Sequence, residues 1–514
     1  MENGNFFQTT NYWQPAKVIA EMETITSIKP LLAVLVSLVA VIPIVASGSK
    51  PNLREGWTFL AGFVKFGLVV SMVPLVLGGT IIEYTLAEPL PGLAIQFRVD
   101  AMGMLFALVS SSLWIITSAY SIGYMRGLSE HSQTRYFSFF AIALSATIGV
   151  AFSANLFTMY LFYEMLSLAT YPLVTHHQDD EARISGRKYL TYILGTSIGL
   201  VLPAMLIIYS LTGTLDFAAQ GILPIGLSKS TVAVLLLMCV FGFAKAGIMP
   251  FHGWLPAAMV APTPVSALLH AVAVVKVGVF SIFRVITGIF GTNLLLSLNL
   301  GTVLCYIAAF TILTASLIAL SQDGLKRRLA FSTIGQLSYI ILGASLLSPK
   351  GQTGGLMHIA MHAFGKITLF MCAGAIFVAT GKKYISEMVG IGKRMPVTMT
   401  AFLIGSLSVI GLPPTGGFIS KWFLVLGTLE ADQIVMLVVL LGSSLLNAAY
   451  FLPVVYRAFF CTPEESMFED KVQEAPLWCI VPLVITAIVS VGLFFFPQPF
   501  FNLAGMAVQT ITGG

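Results

Sequence analysis

The chain has 514 residues, of which 57% are hydrophobic and 10% charged, and its formal net charge is +5. Soluble domains carry about 25% charged residues, so this composition is that of a polytopic membrane protein. The basic residues are scattered among short polar stretches, which excludes a nucleic-acid-binding domain.

Residues 1–27 are polar and lack the parts of a signal peptide, so they are expected to stay on the chain. Apolar runs of about 20 residues, enough to cross a bilayer, then follow in series. They lie at 28–47, 57–77, 102–122, 137–153, 157–175, 189–211, 231–249, 264–287, 297–320, 326–347, 354–379, 397–426, 434–459 and 477–497, fourteen predicted spans in all. Only Ala154–Leu156 separates the fourth from the fifth, and 17 residues follow the last. The loops after odd-numbered spans hold sixteen Lys and Arg, against four in the even-numbered loops and their edges. The positive-inside rule then puts the first set in the cytoplasm and both termini outside a cell inner (plasma) membrane.

The five cysteines, Cys239, Cys305, Cys372, Cys461 and Cys479, lie at least 18 residues apart. That spacing fits neither zinc nor iron–sulfur motifs. The chain also lacks GxGxxG, GxxxxGK(S/T) and HExxH. No cofactor and no metal are expected, and catalysis by this chain alone is not expected either.

The informative residues are charges inside spans, which are costly and mark function by default. Glu164 is the one acidic residue deep in a span, and Lys65, Lys245, Lys276, Lys366 and Lys421 are the basic ones. Lys245 ends the seventh span beside a Gly/Pro break, KAGIMPFHGW, and Lys421 follows a second break, GLPPTGGFISKW, in the twelfth. Paired interrupted segments are a sequence pointer to a transport site. Lys65 has no break or histidine around it, so a lysine that simply faces a neighbouring helix or another protein of a complex is the preferred reading there. In HIAMHAFGK, His358, His362 and Lys366 recur every four residues. They share one helical stripe about 12 Å long and suit a proton relay better than a metal pair, since no carboxylate or cysteine is near. His270 and Lys276, six residues apart, join one hydrated path only if their helix is broken or water bridges them. His252 reads as an interface residue. Ser332, Thr333, Gln336 and Ser338 either hold water or bond between helices. No cluster of carboxylates and carbonyls suits a hard cation, so protons are the expected cargo, with Na+ left to the whole complex.

Three segments carry a family resemblance: APTPVSALLHAVAVVKVGVF (Ala261–Phe280), KRRLAFSTIGQLSYIILG (Lys326–Gly343) and GLPPTGGFISKW (Gly411–Trp422). They resemble the antiporter-like membrane subunits of respiratory complex I, membrane-bound hydrogenases and Mrp-type multisubunit cation/proton antiporters. The resemblance implies an all-α fold of about fourteen transmembrane helices with two inverted five-helix repeats, in which the seventh and twelfth are broken. The expected divisions are 28–136 for the first three helices, 137–290 and 291–460 for the repeats, and 461–514 for the last helix and C-terminus. It further implies a Glu164–Lys245 pair, a central Lys276, connecting residues at His358, His362 and Lys366, and a terminal ionisable Lys421. Partners would be other membrane subunits of a hetero-oligomeric complex. The lysine at 421, where one type of complex I subunit carries glutamate, and the short C-terminal remainder favour the MrpD type among the Mrp components. The alternative is the same pumping unit inside a redox complex.

Overall fold

The computed structural model describes residues 23–461 and 472–512. Most of the polar segment 1–27, and Lys471, therefore lie outside the described residues. Strand β1 (Thr24–Thr26) precedes α1 (Lys29–Val39), α2 (Val41–Ala46) and α3 (Pro51–Leu77). Strands β2 (Ile81–Leu90) and β3 (Leu93–Val99) lead into α4 (Ala101–Gly127), α5 (Gln133–Ala151), α6 (Leu156–Val174) and α7 (Asp180–Thr196), which runs through a π turn into α8 (Leu202–Thr212). Helix α9 (Lys229–Gly242) gives way to a 3-10 turn at Ala244–Ala246 and the short α10 (Trp254–Ala257). Next come α11 (Thr263–Ala271), α12 (Val274–Val285), α13 (Thr292–Ser297), α14 (Leu300–Ser321), α15 (Leu325–Ser345) and α16 (Pro349–Thr380). The chain closes with α17 (Ile391–Arg394), α18 (Pro396–Ile410), α19 (Gly416–Glu430), α20 (Ile434–Phe460), α21 (Leu477–Phe495) and α22 (Gln498–Thr512).

Local chemistry sets the helix ends. Asp100, Asn155 and Asp179 accept the backbone N–H three residues on, at 2.7–2.8 Å, and so cap α4, α6 and α7. The Asn155 cap marks the narrow gap between the fourth and fifth predicted spans. Prolines 30, 51, 349 and 396 sit in the first turn of α1, α3, α16 and α18, where no N–H is missed.

Among the described residues, nine helical stretches are long and apolar enough to cross a membrane. The remaining predicted spans coincide with helices that are shorter, interrupted or more polar: α6, α9–α10, α11–α12, α15 and α18–α19. Large apolar side chains stay exposed around the outside, among them Leu168, Phe310 and Leu445. Apolar surface on that scale needs a non-aqueous neighbour.

The expectation of an all-α chain needs correction. Strand β2 pairs antiparallel with β3 around a turn at Gly92 and parallel with β1. Glu83 faces Arg98 across the hairpin, and their side chains bond at 2.6 Å. This 81–99 segment alternates around Pro91-Gly92, a hairpin signal that a search for membrane-length runs passes over. A second addition is α22, which packs on α4 and α16.

Helix α16 is the axis of the bundle. Every residue from Gly351 to Ile376 is buried, because other helices surround this one on all sides. It packs against α4, α11, α15, α18, α19, α21 and α22, so His358, His362 and Lys366 lie well inside the protein.

Candidate functional site

The first break places Lys245. Helix α9 ends at Gly242, and the indole N–H of Trp254 donates to the Ala244 carbonyl at 2.9 Å, anchoring the turn. The Lys245 ammonium is fully buried and reaches α6. There it donates to the Tyr163 carbonyl at 2.7 Å and to Ser167 Oγ at 2.6 Å, and it lies 3.1 Å from the centre of the Tyr163 ring. Glu164 is the next residue on α6. Both its carboxylate oxygens are buried without a hydrogen-bond partner among the described residues. The lysine therefore engages α6 through Tyr163 and Ser167 rather than through the carboxylate.

A break not foreseen in the sequence places Lys276. Helix α11 stops at Ala271 and α12 starts at Val274, with Val272 and Ala273 out of helical geometry. No glycine or proline marks this point. Just beyond it, Gly278 brings α12 against the first break: a Cβ at 278 would lie 2.1 Å from the Ala246 nitrogen. Lys276 is fully buried and bonds His362 Nδ1 on α16 at 2.7 Å. One turn back along α16, the His358 ring centre lies 5.6 Å from that of His362. His358 bonds Ser420 Oγ at 2.9 Å and Gln336 Oε1 at 3.1 Å.

Ser420 precedes Lys421 on α19. The Lys421 ammonium donates to the Val409 and Ile410 carbonyls at 2.8 and 3.0 Å, at the end of α18. Gly411, with φ +88°, turns the chain there, and a side chain at 411 would collide with Lys421 Cδ. In the other direction, Lys366 donates to Ser332 Oγ at 2.8 Å. Ser332 in turn accepts from Tyr450 OH at 3.0 Å, and Tyr450 also bonds Asn447. Lys276, His362, His358, Ser420 and Lys421 thus lie in sequence across three helices, with Lys366 one turn further along α16.

Three candidates stand apart. Lys65 is fully buried among α1, α4 and α5, donating to Ser37 Oγ at 2.6 Å and the Leu144 carbonyl at 3.1 Å, with the Trp114 ring 5.2 Å away. His270 lies on α11, and its side chain is outside the described residues. His252 lines a cavity of about 880 Å³ together with Glu130, His177, Lys188 and Lys326. Sequence reasoning missed Tyr163, Ser167, Ser420, Tyr450 and Asn447. The first and third were readable as neighbours of Glu164 and Lys421. It also missed the pair formed by Arg284 and Asp100, bonded at 2.5 and 2.8 Å at one end of α4.

Chemically, the lysines supply ammonium donors, and hydroxyl, imidazole and amide groups alternate between them as donor and acceptor. Among the described residues, no carboxylate forms a salt bridge with any of the five span lysines.

A family model described as NADH:quinone oxidoreductase/Mrp antiporter, TM, matches residues 153–447. Glu164 and four of the span lysines fall inside that range, and Lys65 falls outside it. The chain is 33% identical over 484 residues to NADH-quinone oxidoreductase subunit N of Desulforudis audaxviator, an alignment covering 89% of this chain and 95% of that one. It is 30% identical over 480 residues to an Na(+)/H(+) antiporter subunit of Alkalihalophilus pseudofirmus, covering 87% of this chain and 58% of that longer one. Among solved structures, a chain of the Mrp complex from Dietzia sp. DQ12-45-1b aligns with a TM-score of 0.84 at 23% identity, over 94% of this chain and 98% of that one. At that identity the likeness concerns the fold.

Proposed function

The chain belongs to the NADH:quinone oxidoreductase/Mrp antiporter transmembrane family, and from that premise we propose that it is a proton-translocating subunit of a multisubunit monovalent cation (Na+)/proton antiporter. The observation that carries this reading is the buried succession Lys276–His362–His358–Ser420–Lys421, flanked by Lys245 and Lys366. Each lysine alternates between an ammonium donor and a neutral amine. The imidazoles and hydroxyls between them pass the proton on by exchanging donor and acceptor roles. Glu164 beside Lys245 biases the first step, because Coulomb interaction strengthens where water is scarce. A membrane potential supplies about 2.3 kcal/mol per charge per 100 mV.

The proposed architecture has fourteen spans, with inverted repeats at 137–290 and 291–460, breaks in the seventh and twelfth spans, and both termini outside an inner (plasma) membrane. The breaks at 243–253 and 411–415 support it. The partners are other membrane subunits of a hetero-oligomeric complex. The test is antiport in inverted membrane vesicles carrying Glu164→Ala or Lys245→Ala in the assembled complex. Both variants are expected to abolish proton movement, and full activity in both would sink the relay.

A second reading is favoured by a specific observation: the likeness to a quinone oxidoreductase subunit N runs over 95% of that protein. Under it, the same chain pumps protons inside a redox complex. Purifying the intact complex separates the two readings. Flavin or iron–sulfur absorbance in the co-purifying subunits supports the redox complex, and cation-dependent antiport without them supports the antiporter.

A further inference from the structure

We propose that Glu130, His131 and His176, with His177 at the fourth position, form a binding site for a zinc(II)-like divalent transition-metal ion that clasps two loops on one face of the bundle. Glu130 and His131 lie between α4 and α5, and His176 and His177 between α6 and α7. The two pairs are 45 residues apart in sequence, which is why no metal motif shows there.

Three imidazoles converge on one carboxylate oxygen. Glu130 Oε2 lies 3.9 Å from His131 Nδ1, 3.8 Å from His176 Nε2 and 3.8 Å from His177 Nδ1. One ligand atom each from Glu130, His131 and His176 lies within 4.8 Å of the others. Zinc bonds of about 2.0–2.2 Å in a tetrahedron put ligand atoms about 3.4 Å apart. Small side-chain rotations close the difference. A set rich in imidazole with one carboxylate suits zinc and its first-row neighbours rather than calcium or magnesium.

His176 gives an independent pointer. Its side chain is fully buried, yet neither ring nitrogen has a hydrogen-bond partner among the described residues. An imidazole buried in that state has given up its bonds to water without replacing them, a loss that a metal at Nε2 would offset. Arg135 donates to the His176 carbonyl at 2.8 Å and holds that loop in place. The His131 side chain is 51% exposed, which leaves an entry path. Because α6 carries Glu164, a bound metal would tie the end of that helix to the α4–α5 loop.

The test uses the full chain in nanodiscs, purified without a histidine tag and stripped with EDTA. Zinc binding is followed by equilibrium dialysis with elemental analysis, and cobalt binding by visible absorption. One zinc per chain is expected, together with a tetrahedral cobalt spectrum and a higher melting temperature on zinc addition. Glu130→Gln, which keeps the side chain's size, and His131→Ala, at the exposed loop position, should weaken zinc binding at least about tenfold and remove the cobalt spectrum and the thermal shift. His176→Asn should do the same, and the two loop variants keep the test valid if it fails to fold. Absence of stoichiometric zinc in the wild type, or unchanged affinity in both Glu130→Gln and His131→Ala, would overturn the site.

Discussion

Lys276 Nζ and His362 Nδ1 meet at 2.7 Å in the fully buried centre of the bundle, two basic nitrogens joined by a single hydrogen bond. One nitrogen must donate and the other accept, so the pair holds its shared proton on one side at a time. Lys276→Ala is therefore expected to lower proton translocation by about a hundredfold, measured as proton uptake into vesicles holding the assembled complex. His362→Ala should lower it to a similar degree, and His362→Gln, which keeps an acceptor, should lose less. Wild-type activity in all three variants would remove the pair from the path.

Gly278→Ala tests the packing that brings the two breaks together. The new methyl would sit 2.1 Å from the Ala246 nitrogen, on backbone that cannot swing aside. Overpacking of this kind costs about 3 kcal/mol. A lower melting temperature in detergent, accompanied by lost transport, is expected, and an unchanged melting temperature would count against the close approach.

Asp100 gives a prediction with a pH sign. Burial opposes its ionisation, yet Arg284 and the Gly103 N–H together hold the carboxyl below its ordinary value. The folded state thus binds this proton less readily than the unfolded chain. The contribution is complete above the unfolded value of about 3.9 and is lost as pH falls through the lower folded value. Asp100→Asn should destabilise by about 1–3 kcal/mol at neutral pH, and the gap to wild type should narrow below about pH 4. A gap that stays constant with pH would show that the ion pair does not matter.

Lys65 is expected to be dispensable for transport. Its partners, Ser37, Leu144 and Trp114, all belong to the first five helices and none to the charge line. Replacing a buried charge by an apolar group of similar length is often neutral or stabilising. Lys65→Met should keep proton uptake within about twofold of wild type and leave the melting temperature unchanged or raised. A large loss of uptake with an intact melting temperature would draw Lys65 into the path.

Features that depend on composition and local chemistry were legible in the sequence. Apolar runs marked the helices, and Pro250 and Gly411 marked the breaks next to Lys245 and Lys421. The period-four stripe of His358, His362 and Lys366 was readable because helical spacing is itself a sequence property. Features that depend on tertiary packing were not. The interruption at Val272-Ala273 occurs in a run of small and β-branched residues with no breaker, so only the surrounding contacts select it. Ser420 is an ordinary span residue until α16 and α19 bring it to His358, and Tyr450 is one until α15 and α20 bring it to Ser332. The hairpin at 81–99 carries a turn signal at Pro91-Gly92, but its strands of 10 and 7 residues are short beside the membrane-length apolar runs.

The two outer lysines of the line differ in what balances them. Lys245 has the side-chain carboxylate of Glu164 next to its anchor residue, Tyr163. Lys421 rests on the last two carbonyls of α18, the negative end of a helix dipole. A counter-charge built from peptide groups never titrates and cannot be switched off by acid. Under the proposed relay, electrostatic control over the Lys421 end would come from the lysine itself or from its distance to those carbonyls, whereas the Lys245 end also has a side-chain carboxylate beside it. The proposed line would then be polarised by construction, with a side-chain counter-charge at one terminus and a fixed backbone dipole at the other.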